Sequence, residues 1–102
     1  MAERTKLAGG PEKTVTWIWL DPEDAQLKVE FYDFSELAEK MFGNDIAYTI
    51  TVNEMDKLFS LVEQGETALI LWLKENFKSY FAIKQWLEVH KIGFTVEIES
   101  HA

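Results

Sequence analysis

Alternation constrains the fold of this chain more than any other feature. In four runs, large apolar residues return at every second position, the period of a strand with one buried face. Residues 14–20 (TVTWIWL) set Val15, Trp17 and Trp19 against Thr14, Thr16, Ile18 and Leu20. Residues 27–32 set Leu27, Val29 and Phe31 against Lys28, Glu30 and Tyr32. Between these two runs, Asp21-Pro22-Glu23-Asp24 is a turn signal, so together they read as a hairpin. Ile46, Tyr48, Ile50 and Val52 make a third strand, and Phe94, Val96 and Ile98 a last one.

The remaining apolar residues fall at helical spacing. Asp33-Phe34-Ser35-Glu36 fits a capping box, followed by Leu37, Ala38 and Met41 and stopped at Gly43. Asn53 is a good N-cap, with Asp56 three residues on, for a helix burying Met55, Leu58, Phe59 and Val62 and ending at Gly65. Residues 67–77 contain the six-residue apolar run ALILWL. That run also fits a buried strand; the length of the segment and its flanking Lys74 and Glu75 favour helix. Ser79 caps a fourth helix, with Ile83, Trp86, Leu87 and His90 at i, i+3, i+4 and i+7 and a stop at Gly93.

The order is therefore ββαβαααβ. The predicted fold is α+β: a four-stranded antiparallel or mixed sheet with helices packed on one face. Gly9, Gly10 and Pro11 break any regular element near the start, so residues 1–13 read as a flexible N-terminal arm and 14–102 as a single domain. Thr14, Thr16, Lys28, Glu30, Thr49, Thr51, Thr95, Glu97 and Glu99 are expected on the solvated side of the sheet, with Ile18 and Tyr32 as a modest patch there. Trp17 and Trp19 are expected in the core, beneath Trp72 and Trp86 of the helices.

Composition removes several function classes. Without cysteine there is no disulfide, thiolate metal site or cysteine nucleophile. A membrane span needs about 20 apolar residues, far more than the longest run here, and the first ten residues lack the apolar stretch of a secretory leader. A soluble cytoplasmic protein is the expectation. The sequence has no GxSxG, no HExxH and no glycine-rich phosphate loop between a strand and a helix. The single arginine, Arg4, lies in the arm, which argues against a site gripping phosphate through a guanidinium.

Charge points the other way. The formal net charge is −8, from 18 acids and 10 bases. Asp21, Glu23, Asp24, Glu30, Asp33, Glu36, Glu39 and Asp45 face only Lys28 and Lys40, whereas Lys74, Lys78, Lys84 and Lys91 outnumber Glu75 and Glu88 near the end. This repels nucleic acid and attracts basic partners.

Other chemistry is weakly signalled. In a strand, Glu97, Glu99 and His101 project from one face and suggest a metal site, but an exposed polar face running into a tail explains them without one, so no metal and no cofactor are expected. His90, one turn after Trp86, reads as a helix C-terminal histidine at the core edge.

The leading reading is a small acidic non-enzymatic binding protein, in its concrete form an immunity or antitoxin-type inhibitor of a basic protein. Its contact residues would be Asp21, Glu23, Asp24, Glu30, Asp33, Glu36 and Glu39. The alternative is a homodimeric interaction domain joined through an apolar patch of the sheet or its edge. A third, less favoured class is a ligand-binding domain or enzyme with a pocket between sheet and helices near Trp86 and His90.

Overall fold

The computed structural model describes residues 4–7, 9, 13–33, 45–63 and 66–101, with the side chains of 45, 66, 67 and 99–101 excepted. Five strands form one antiparallel sheet: β1 (Thr5–Lys6), β2 (Thr14–Leu20), β3 (Leu27–Asp33), β4 (Asp45–Val52) and β5 (Phe94–His101). They lie side by side in chain order. Three helices come between β4 and β5: α1 (Met55–Val62), α2 (Glu66–Asn76) and α3 (Tyr80–Val89). The α+β class and the antiparallel sheet agree with the alternation. The helix expected after Asp33, including Glu36 and Glu39, lies outside the described residues.

The strand count corrects the four-stranded expectation. The fifth strand comes from the segment read as an arm. Thr5 and Lys6 pair with Ile18 and Trp17, and the Leu7 N–H donates to the Thr16 carbonyl at 2.9 Å. Leu7 is 2% exposed and belongs to the main core. Two residues carry no visible alternation, so only the docking of Leu7 gives this strand a reason to form.

The core lies between one face of the sheet and the helices. Ile18, Leu27, Val29, Phe31, Ile50 and Val52 supply the sheet side; Leu58 and Val62 of α1, Leu69 and Leu73 of α2, and Ile83 and Leu87 of α3 close it. In each helix these pairs stand four residues apart, one turn along one face. Ser79 caps α3 as expected, its Oγ accepting from the Ala82 N–H at 3.3 Å. The N-cap position of α1 is Glu54 rather than Asn53, with no side-chain capping hydrogen bond; the Asn53 N–H donates to the Gly93 carbonyl at 2.8 Å.

The facing of β2 is the second correction. Ile18 and Thr16, expected outward, are both buried, and the two strand tryptophans face away from the helices. Register decides this. Ile18 pairs with Val29 and Thr16 with Phe31, and residues directly opposite share a face, so β3 with its clear polar alternation fixes β2. The buried Thr16 hydroxyl is satisfied by the Tyr80 N–H at 3.1 Å, in the first turn of α3. Trp19 is buried on the opposite face with the Arg4 guanidinium 4.1 Å above its ring. Trp72 of α2 and Trp86 of α3 instead make tilted and edge-on contacts with each other and with Phe77 between the two helices, on the far side of the core from the strand tryptophans. No described helix is long and apolar enough to cross a membrane.

Candidate functional site

The β3–β4 pairing creates an acidic end that crosses distant parts of the chain. Lys28 pairs with Thr51, so the residues just before β3 meet those just after β4. The β2–β3 turn, Asp21 to Gln26, thereby lies against the entry to α1, and the Leu27 N–H donates to the Met55 sulfur at 3.3 Å. Asp24, Gln26, Asn53, Glu54, Asp56 and Lys57 line an open groove of about 660 Å³ here, with Met55 and Phe59 as its apolar lining. Glu54 and Asp56 are not among the acids that the sequence singles out. The usable signal is the antiparallel order itself, since neighbouring strands that run oppositely bring those two chain ends together.

The carboxylates at this end divide into two kinds. Asp24 accepts from the Gln26 N–H through Oδ1 at 2.9 Å and from Lys28 Nζ through Oδ2 at 3.1 Å. These contacts, the Gln26 amide first, hold its carboxyl below the usual range. Glu54 bonds Lys57 at 2.9 Å with one oxygen and the Gly93 N–H at 2.6 Å with the other, and these two donors lower its pKa as well. A Cβ at residue 93 would stand 2.6 Å from that oxygen, so glycine lets the carboxylate reach the backbone. Both groups brace the structure. Asp21 uses Oδ1 to cap the Glu23 N–H at 2.9 Å. Glu23 and Asp56 are exposed, and among the described residues neither carboxylate is bound to a cation. Asp21, Glu23 and Asp56 are therefore the acids with oxygens left for a partner.

The other predicted contact residues sit elsewhere. Glu30 lies midway along β3 on the face away from the helices, bonded to Arg4 at 3.4 Å. Asp33 pairs with Thr14 and Ile46 at the far end of β3, six residue steps from Leu27, a distance of roughly 20 Å. The structure thus brings Asp21, Glu23 and Asp24 together and spreads Glu30 and Asp33 along the sheet.

His90 caps the C-terminus of α3 and is exposed, its ring 5.7 Å from that of Trp86. It lines a second open groove of about 450 Å³ with Asp56, Lys57, Ser60, Leu61 and Ile92, while Trp86 turns to Trp72 and Phe77. Asp56, Ser60 and His90 are the residue types that make up a nucleophile with its base. Among the described residues no hydrogen bond joins any two of them, so no activated hydroxyl is assembled. The described residues also contain no cluster of three His, Asp or Glu able to hold a metal ion; the side chains of Glu99 and His101 are outside them. No family model matches the chain, and neither a curated protein nor a solved structure shows detectable similarity to it.

Proposed function

We propose that this is a small acidic binding protein, acting in the cytoplasm without catalysis of its own, that docks a basic protein against its acidic end. The concrete form is an inhibitor of the immunity or antitoxin type, its carboxylates occupying the positions where a cationic enzyme would hold phosphate. One observation carries the reading: Asp24 of the β2–β3 turn and Asp56 of α1 line one groove, and Asp21 and Glu23 of that turn and Asp56 make no ion pair among the described residues. Asp24 and Glu54 hold the turn and the helix entry in place around them.

The triple substitution D21K/E23K/D56K should slow association with a basic partner captured from the source lysate by about tenfold or more at low salt. The wild-type rate should fall steeply as salt rises. Unchanged association by the triple variant, or a rate flat with ionic strength, removes the acidic end from the footprint. A homodimer has one observation in its favour, the long edge strand β5 with exposed Val96 and Ile98. Light scattering across a concentration series decides it, a mass of one chain throughout excluding the dimer.

A further inference from the structure

We infer that β5 is a docking edge for an extended segment of the partner, a strand with apolar residues on one face and Lys or Arg on the other. This rests on the reading that the partner is basic, but uses a different surface from the acidic end.

Among the described residues no strand pairs with the outer side of β5. β5 is the last strand of the sheet among the described residues, and it pairs with β4 in unbroken register from Phe94 opposite Val52 to His101 opposite Asp45. It has no bulge and no proline, two devices that keep an edge from pairing; its remaining guard is the charge of Glu97 and Glu99, which a basic strand would neutralise. Its outer backbone groups are a template for strand addition.

The two faces of β5 specify what would be added. Thr16, Phe31, Tyr48 and Ile98 stand in one cross-strand row on the helix side. The row begins in the core and ends in solvent: Thr16 is 1% exposed and Ile98 63%. Val96, on the same face, is 39% exposed. An apolar side chain on an added strand would continue this row. On the other face Glu97 stands opposite Thr49, and among the described residues no cation pairs with it. A lysine or arginine on the added strand would meet that carboxylate directly across the ladder.

A second copy fits poorly. The two antiparallel registers of β5 with itself that pair seven of its eight residues keep the apolar residues on one face. Centred on position 97, Glu97 faces its own copy; centred on 98, residues 97 and 99, both glutamates, face each other. Like charges directly opposite destabilise a strand pair, whereas a basic strand turns the same charge into attraction.

The test uses the full chain and a capped synthetic peptide of four Val-Lys repeats. Hydrogen exchange followed by mass spectrometry should show slowed exchange in residues 94–101. Glu97→Lys should weaken peptide binding by about five- to tenfold, and the isosteric Glu97→Gln by about twofold, with unchanged circular dichroism. A peptide of Val-Glu repeats should not bind. Protection confined to residues 21–26 and 53–57 overturns the inference, as does absence of Val-Lys binding. Protection of β5 that grows with protein concentration alone overturns it in favour of a second copy. None of these outcomes touches the D21K/E23K/D56K result, and failure of that triple variant leaves peptide protection of β5 standing.

Discussion

At one edge of the sheet, β1 offers only Thr5 and Lys6, yet the chain around it is tied down on both faces of the sheet. Leu7 enters the core, the Gly9 N–H donates to the Lys78 carbonyl at 2.8 Å, and Arg4 lies over Trp19 while reaching Glu30. At the other edge, β5 extends eight residues with complete pairing inward and exposed Val96 and Ile98 on its helix side. The shorter strand is the better sealed. Hydrogen-bonded length and burial are separate quantities, and side-chain docking, not ladder length, determines which edge is finished.

That contrast can be broken most forcefully at Leu7. Leu7→Ala removes a fully buried side chain and should cost about 2–5 kcal/mol, read from the urea midpoint. A loss below about 1 kcal/mol would mean the N-terminal segment does not close the core. Gly9→Ala comes next. The new Cβ would lie 2.7 Å from the Lys78 Cβ and 2.8 Å from its carbonyl oxygen, and overpacking of this kind costs about 1–3 kcal/mol. Faster amide exchange confined to residues 5–9 and 78 is the expected signature; wild-type stability in this variant would show that the contact is slack.

Tyr80 reports on the sealed half through its ionisation. Burial pushes its phenol from the ordinary 10.0 up to about 12, with the nearby Tyr48 and Glu88 adding to the rise. The fold favours the neutral phenol, so this contribution is complete below pH 10, declines as pH rises, and is lost past the folded value near 12. The phenolate absorbance that Tyr80→Phe removes should be a fraction appearing near pH 12; removal of a fraction appearing near 10 would place Tyr80 in contact with water.

Smaller effects lie at the surface. Arg4→Ala should cost about 0.5–1 kcal/mol through the lost cation over Trp19 and shift tryptophan emission to the red; an unmoved spectrum would show that the guanidinium does not cover the ring. Ile98→Thr should change stability by less than about 0.5 kcal/mol while weakening capture of the Val-Lys peptide. A stability loss comparable to that of Leu7→Ala would show that β5 is covered in solution.

Much of the fold was legible because periodicity is local. The alternation over 27–31 and 46–52 and the stripes Leu58/Val62 and Ile83/Leu87 announced their elements, and each apolar set is buried except Tyr48, which is half-buried against the core. The β2 run was legible as a strand but not in its facing. Val15, Trp17 and Trp19 outweigh Thr16 and Ile18 in bulk, and bulk suggested the wrong side. The site was legible in part: the turn acids Asp21, Glu23 and Asp24 were visible as a cluster, whereas Asp56, some thirty residues on, shares a groove with Asp24 only through the pairing of β3 with β4. The division of these acids into bracing and available groups depends on hydrogen bonds made in the folded chain, to the Gln26 and Gly93 amides and to Lys28 and Lys57.

The sequence by itself determined the α+β class, the position of each strong strand and described helix, the absence of thiol chemistry and the acidic character. These depend on residue type and on periods of two and 3.6 along the chain. The tertiary structure alone decided which face of β2 is core, that Thr5–Lys6 is a strand, which carboxylates remain available and that β5 is an edge with exposed Val96 and Ile98. Each of those depends on contacts between residues far apart in sequence. Register transmits facing from β3 to β2, and the docking of one leucine turns two unpatterned residues into an edge.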